Sequence, residues 1–139
     1  MKFFTPVHVR FRDLDALGHV NNAVYHSYVE EARVAYFDKV VGTRHDWDAF
    51  GVLLARTEIN YLKPIHFKED ITCGIEIISL GNTSIEVAFA LFKKLNSDDI
   101  EEVCSGKNIL VCRDHTTNST APIPADWKNA IEKFEDEEL

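Results

Sequence analysis

The sequence predicts an α+β fold in which one long helix packs against an antiparallel sheet. Residues 22–40 place apolar side chains at helical spacing, whereas the stretches after residue 50 alternate like strands and are separated by short turns. Turns of hairpin length join antiparallel strands, because parallel neighbours need a much longer crossover. The chain has 139 residues, of which 45% are apolar and 27% charged, and we expect one domain spanning residues 1–139.

The N-terminal part of the chain predicts one strand followed by a loop. Val7, Val9 and Phe11 alternate with polar residues, which is the period of a half-buried strand. Residues 13–22 are rich in Asp, Gly and Asn, residue types that favour turns and loops. We therefore expect a strand that ends close to residue 11 and a polar loop that leads into the long helix.

The long helix is predicted over residues 22–40. Asn21 or Asn22 can cap its N-terminus, because a short side-chain oxygen can accept a hydrogen bond from an unpaired early amide. Gly42 is well placed to end the helix. At 1.5 Å per residue the helix would be roughly 28 Å long. Its predicted apolar face consists of Tyr25, Tyr28, Val29, Ala32, Tyr36 and Val40.

The remainder of the chain predicts four strands and a short terminal helix. Gly81 and Asn82 form a turn signal, and the polar run 96–99 predicts a hairpin. An amphipathic helix is expected over residues 127–134, followed by an acidic tail, residues 135–138, that we expect to be solvated and frayed. The predicted strands cover residues 52–61, 71–80, 84–95 and 102–114, and the second of these should face the core through Ile71, Cys73, Ile75 and Ile77.

Charge and residue usage exclude several classes of function. A net charge of −8 disfavours nucleic acid or an anionic membrane as a partner, because both require a basic surface. No signal peptide or transmembrane stretch is visible, so we expect a cytoplasmic protein. The spacings typical of a metal site, a disulfide framework and a Gly-x-Ser-x-Gly serine nucleophile are all absent. The histidines outside the loop are expected to be surface or packing residues: His8, His26, His45, His66 and His115.

The residues suited to chemistry lie in the segment 11–25, which turns through Gly18 and enters the long helix. Two carboxylates, Asp13 and Asp15, and one imidazole, His19, precede the helix. The first amides of a helix are unpaired, and with the helix dipole they can stabilise an oxyanion. A carboxylate beside them can act as a base or a nucleophile. The same residue types also serve as ordinary caps and turns, so spacing alone leaves both interpretations open.

This segment resembles the hydroxybenzoyl-CoA thioesterase-like branch of the hotdog superfamily, which includes long-chain acyl-CoA thioesterases and plant acyl-ACP thioesterases. Residues 58–65 look like the strand and turn that follow the helix in these enzymes. The resemblance covers about residues 5–115 and implies the hotdog fold, a long central helix wrapped by a curved antiparallel sheet, here with a short C-terminal helix. The family run Asp-x-x-x-His-Val-Asn-Asn-x-x-Tyr is matched by Asp15, His19, Val20, Asn21, Asn22 and Tyr25.

The resemblance implies a role for each matching position. Asp15 corresponds to the catalytic carboxylate, and the backbone amide of Asn22 to the donor that polarises the thioester carbonyl. Gly18 corresponds to the glycine that lets the loop approach the substrate, and His19 to a histidine of the acyl-ACP and long-chain acyl-CoA members. An acyl tail also needs an apolar slot, and its wall could be formed by Tyr25, Tyr28, Val29 and Leu54, although core packing is the commoner role of such side chains.

The remaining expectations concern Leu17, Glu58, Asp13 and the basic residues that could bind coenzyme A. Leu17 stands where the acyl-ACP enzymes have asparagine, which argues against their asparagine-assisted mechanism and an ACP-bound substrate. Glu58 resembles an acidic residue near the site of some members, and fits an exposed strand residue equally well. Asp13 is expected to be a solvated loop residue or a turn-stabilising one. The cations available for coenzyme A phosphates are Arg56, Lys63, Lys93, Lys94, Lys107 and Arg113.

The resemblance implies an acyl-CoA thioesterase that releases CoA and a free carboxylic acid and works as a homodimer or homotetramer. Coenzyme A would enter as part of the substrate, so no separate cofactor is expected. One alternative is a hotdog dehydratase, although the His-x-x-x-Gly-x-Pro setting of those enzymes is absent. Another is a non-catalytic acyl-CoA-binding protein, against which Asp15 and Gly18 argue because binding alone requires neither.

Overall fold

The computed structural model describes residues 1–139 as one antiparallel sheet with a long helix packed on one face. The elements are β1 (Phe3–Val7), α1 (Val24–Val40), β2 (Phe50–Tyr61), β3 (Ile71–Leu80), β4 (Ser84–Lys94), β5 (Ile100–Asp114), β6 (Ser119–Thr120) and α2 (Ala125–Glu135). Along the sheet the strand order is β1-β3-β4-β5-β2, and β6 pairs with the end of β5. None of the helices combines the length and apolar character needed to span a bilayer.

The long helix and the four long strands agree with the sequence prediction to within two residues at each end. β3 occupies the predicted residues, and its core-facing alternation is confirmed. These side chains meet the apolar face of α1 in one core. Most of the predicted helix face is buried, namely Tyr25, Tyr28, Val29, Ala32 and Tyr36, while Val40 is half-buried.

The predicted first strand is wrong in its position. β1 ends at Val7, and Phe11 begins a 3₁₀ turn that runs to Asp13. The turn forms because Asp13 N donates to Arg10 O at 3.0 Å and Arg10 N donates to the Asp13 carboxylate at 2.9 Å. These local bonds replace pairing with the sheet, and Phe11 is left 75% exposed. The inward residue that anchors β1 is Phe3, whose ring packs edge-on against Tyr36 at 5.5 Å.

The acidic tail also differs from the prediction at its first residue. Glu135 is buried in the last turn of α2, where its Oε1 accepts a hydrogen bond of 2.7 Å from the Tyr36 hydroxyl. The Lys2 ammonium donates to the Glu135 carbonyl at 2.8 Å. At the other end of α2, the Trp127 side chain is buried in the core. Because α2 is held at both ends, the terminal helix is part of the core.

A β-bulge in β2 determines which side chains of this edge strand face the helix. Leu54 pairs with Leu110 and Arg56 with Ile109, so Ala55 is an extra residue in the ladder. One extra residue reverses the alternation beyond it. As a result Thr57, Ile59 and Tyr61 point to the same face as α1, whereas Arg56, Glu58 and Asn60 point to the opposite face.

Candidate active site

The loop between the 3₁₀ turn and α1 is a small hairpin that carries Asp15 near its tip. Asp15 N donates to His19 O at 2.8 Å, and Leu14 forms an isolated antiparallel bridge with Val20. Gly18 N closes the turn by donating to Asp15 O at 3.1 Å. Gly18 has a φ of +80°, which side-chain-bearing residues rarely adopt, so a glycine suits this position.

The Asp15 carboxylate is exposed and only partly used by the chain. Its Oδ1 accepts a hydrogen bond of 2.9 Å from Leu17 N, whereas its Oδ2 accepts none from the protein. The hydrogen bond from Leu17 N restrains the Asp15 side chain at the tip of the hairpin. The second oxygen remains available to a ligand or a water molecule.

The turn before α1 leaves one backbone amide free. Asn21 is the capping side chain of this turn, because its Oδ1 accepts from Ala23 N and its carbonyl from Val24 N, both at 2.9 Å. Ala23 itself is the residue at the cap position of α1, so neither predicted asparagine occupies it. The Asn22 N–H donates to no atom of the chain. It therefore lies, unpaired, at the positive end of the helix.

Asp15, His19, Asn22 and Tyr25 come together along one cleft of about 390 Å³. Gly18 is not among its lining residues and acts through the shape of the hairpin. Tyr61, to which no sequence pattern assigned a role, also lines the cleft, and its hydroxyl donates to Asn22 O at 3.0 Å. The other residues that line the cleft are Leu17, Val20, Asn21, Lys63 and Pro64.

His19 packs against a second histidine, His66, which was expected to be a surface or packing residue. The rings of His19 and His66 meet edge to face with centroids 4.9 Å apart, and the two residues form a backbone bridge. His66 Nδ1 lies 3.2 Å from Glu69, which pairs with Lys93 at 2.6 Å. Burial raises the pKa of Glu69, but the bonds from Lys93 and His66 outweigh it and hold the pKa below its ordinary value.

Tyr25 forms a buried part of the cleft wall. Its ring packs edge-on against Tyr61 with centroids 5.0 Å apart, and burial raises its pKa to about 12. The phenol is therefore neutral at physiological pH. This arrangement suits a residue that shapes an apolar wall.

Two predicted acidic residues lie elsewhere. Glu58 points to the opposite face of the sheet, where it pairs with Arg56, because the bulge at Ala55 reverses the alternation of β2. The structure therefore does not bring Glu58 to this cleft in the single chain. Asp13 is buried beneath the hairpin, with only 2% of its surface exposed, so the expectation of a solvated loop residue is wrong. Its turn-stabilising alternative agrees with the structure.

Of the six cations considered for coenzyme A phosphates, Lys63 is the one that lines the cleft. Its ammonium group lies 3.2 Å from Glu101 and is largely exposed. Four of the others form ion pairs outside the cleft, and Arg113 contacts Asn118. The chain contains no cluster of three or more His, Cys, Asp or Glu side chains able to hold a metal ion.

Comparison with known proteins places these features in context. A family model described as the thioesterase-like superfamily matches residues 9–131. An uncharacterised protein of Bacillus subtilis strain 168, YsmA, is 29% identical over 87 residues, which are 63% of this chain and 58% of YsmA. The chain therefore spans less than two thirds of the length of the curated relative it matches.

Solved structures show the same arrangement of strands and helices. A thioesterase from Thermus thermophilus, complexed with coenzyme A and zinc, is 34% identical with a TM-score of 0.83, and the match covers 98% of this chain and 96% of that one. A variant of 4-hydroxybenzoyl-CoA thioesterase complexed with 4-hydroxybenzoyl-CoA has a TM-score of 0.86 over 93% of this chain and 97% of that one. Its identity is 16%, so this second likeness concerns the fold alone.

Proposed function

The chain belongs to the thioesterase-like superfamily and has its hotdog fold, and from this premise we propose that it hydrolyses acyl-CoA thioesters with Asp15 as the catalytic carboxylate. The observation that carries the proposal is that one cleft is lined by Asp15, whose Oδ2 accepts no hydrogen bond from the chain, and by Asn22, whose N–H is unpaired. The coenzyme A bound by the 34%-identical relative supports a CoA ester as the substrate.

In the proposed reaction the thioester carbonyl lies over the N-terminus of α1. The Asn22 N–H donates to the carbonyl oxygen and stabilises the negative charge that develops on it, because its position is set by the helix beforehand. Asp15 removes a proton from a water molecule as the water oxygen bonds to the carbonyl carbon. The C–S bond then breaks, and CoA leaves as a thiol with the proton that Asp15 returns to it. His19 helps to orient the carbonyl or the water.

A second version of the step has Asp15 attack the carbonyl carbon directly. That attack forms an acyl–carboxylate anhydride with loss of CoA, and water then hydrolyses the anhydride. A single turnover in water enriched in oxygen-18 tests for direct attack, because only hydrolysis of the anhydride at the Asp15 carbonyl puts label into the enzyme. Label in the Asp15 carboxylate supports direct attack, whereas label confined to the product acid supports water activation or hydrolysis of the anhydride at its acyl carbon.

We further propose that the protein is a homo-oligomer joined through β2. This strand lies at an edge of the sheet and pairs on one side only, with β5. It is 12 residues long, and Leu53 and Leu54 are 48% and 47% exposed. A long edge with exposed apolar side chains favours pairing with another strand, and a second copy of β2 would complete it by two-fold symmetry. A protein that sediments as a monomer in analytical ultracentrifugation, under conditions in which it hydrolyses acyl-CoA, would contradict this proposal.

Thiol release from a panel of short, long and aromatic acyl-CoAs tests the activity. We expect turnover by the wild type and a loss of roughly 100-fold or more in kcat for Asp15→Asn, since a positioned base contributes about that much. Asp48→Asn is the matched control, because Asp48 is an exposed turn residue outside the cleft. A folded Asp15→Asn protein with the wild-type rate would remove Asp15 from the mechanism.

The same panel separates the alternatives. Hydration of an enoyl-CoA without thiol release would identify a dehydratase. Binding of acyl-CoA without any turnover would identify a binding protein that keeps the fold. The favoured outcome is thiol release that depends on Asp15.

A further inference from the structure

The Asp13 carboxylate is buried and fully engaged beneath the hairpin that carries Asp15. The Tyr28 hydroxyl donates to its Oδ2 at 2.7 Å, and Arg10 N donates to the same oxygen at 2.9 Å. The Arg10 guanidinium contacts its Oδ1 through Nε at 3.1 Å and through a terminal nitrogen at 2.9 Å. Tyr28 is buried in α1. The carboxylate therefore joins the 3₁₀ turn to the second turn of the long helix.

The backbone of the same residue holds the base of the hairpin. Asp13 O accepts a hydrogen bond of 2.9 Å from Asn21 N, and Asn21 in turn caps the turn that leads into α1. Asp15 lies two residues after Asp13, and Asn22 follows Asn21 directly. A displacement of Asp13 relative to the helix therefore moves the two groups that must share one substrate.

We propose that Asp13 and Tyr28 are positioning residues for the proposed hydrolysis, holding the Asp15 hairpin at a set distance from the Asn22 amide. This inference rests on the proposed function, because the distance matters only if both groups act on one carbonyl. Misplacement of a reacting group by about 1 Å can cost on the order of 100-fold in rate, so an anchor of this kind affects the rate even though it touches no substrate.

The charges around Asp13 favour a permanent contact with the Tyr28 hydroxyl. Burial raises the pKa of Asp13, but the hydrogen bonds from the Arg10 backbone, Tyr28 and the Arg10 side chain outweigh it, and the pKa lies below its ordinary value. The carboxylate is therefore ionised at neutral pH and accepts from all of its donors. Burial also raises the pKa of Tyr28, so its hydroxyl keeps the proton that it donates.

The chain contains a matched control for this contact. Tyr36, two turns further along α1, donates to the buried carboxylate of Glu135 at the same distance of 2.7 Å. That contact holds α2 and has no connection to the hairpin. Tyr28→Phe and Tyr36→Phe each remove one hydroxyl from one buried tyrosine–carboxylate pair, and only the first of these pairs holds the hairpin.

The test measures hydrogen exchange and kinetics on both variants, well below their melting temperatures. For Tyr28→Phe we expect faster exchange of the Asp15 and Asn21 amides, whose acceptors lie within the hairpin and its base. We also expect a fall in kcat on the order of tenfold with KM changed by less than about twofold, because positioning affects the reacting groups rather than the affinity for CoA. Tyr36→Phe should leave both measurements unchanged.

Two results would overturn the inference. One is an equal fall in kcat in the two variants, which would indicate a general loss of stability. The other is a normal kcat in a Tyr28→Phe protein whose hairpin amides exchange rapidly. Asp15→Asn keeps the two proposals separate: if that variant retains full activity the proposed function fails, while the exchange rates still decide whether Asp13 and Tyr28 order the hairpin.

Discussion

Replacing Gly18 with alanine tests the conformation of the hairpin without adding a steric clash. Gly18 has a φ of +80°, and a Cβ built on it would have no atom within 4 Å. The substitution therefore acts through backbone strain alone. A left-handed conformation costs an L-residue about 1–2 kcal/mol, and the stiffer unfolded chain returns about 0.4–1 kcal/mol. We expect a net cost of about 1 kcal/mol.

This strain energy can lower either the stability of the protein or its activity. If the hairpin keeps its native turn, the protein is destabilised and its Tm falls by about 3–5 °C for a chain of this size. If the hairpin relaxes to relieve the strain, Asp15 leaves its position in most molecules. In that case kcat/KM falls by about fivefold, since about 1 kcal/mol corresponds to roughly a fivefold change in population.

Thermal unfolding of Gly18→Ala measures its Tm, and thiol-release kinetics measure its kcat/KM. Gly42→Ala is the control, because Gly42 also has a positive φ, of +109°, and open space around it. It follows the far end of α1, roughly 25 Å from the hairpin by the length of the helix, and should change Tm without changing kcat/KM. Gly18→Asn should restore much of the loss, because asparagine tolerates this conformation. A Gly18→Ala protein with wild-type Tm and wild-type kcat/KM would refute the reasoning.

Two further predictions concern the core and the CoA phosphates. Burial raises the pKa of Glu135 above its ordinary value of 4.5, so its stabilising contribution is present below that pH and is lost as the pH rises through the folded-state pKa. Glu135→Gln keeps an acceptor for Tyr36 and cannot ionise, so its Tm should exceed that of the wild type at neutral pH. A difference in Tm that grows as the pH is lowered would contradict this prediction. Lys63→Gln should raise KM for acyl-CoA roughly two- to fivefold at unchanged kcat, as expected for an exposed charge. Lys94→Gln, equally exposed at 57% but outside the cleft, should leave KM unchanged; equal effects of the two variants would exclude a specific role for Lys63.

The sequence by itself determined the elements whose pattern is local. The helical spacing from Tyr25 to Tyr36 and the alternation in β3 each depend on neighbours along the chain, and both predictions were confirmed. The loop that carries Asp15 was also visible in the sequence, because Gly, Asp and Asn form turns through their own backbone preferences, although its hairpin pairing was not predicted. The grouping of Asp15, His19, Asn22 and Tyr25 follows from their closeness along the chain.

Only the tertiary structure decided the contacts that join distant segments. The bulge at Ala55 turned Glu58 away from the helix and Tyr61 towards it, and a bulge arises from strand pairing that periodicity does not record. Glu135 is buried because α2 packs on Tyr36, 99 residues away in sequence. The partner of His19 is likewise His66, which lies on a different loop. Local preferences select helices, strands and turns, whereas the composition of the cleft depends on which of these elements pack together.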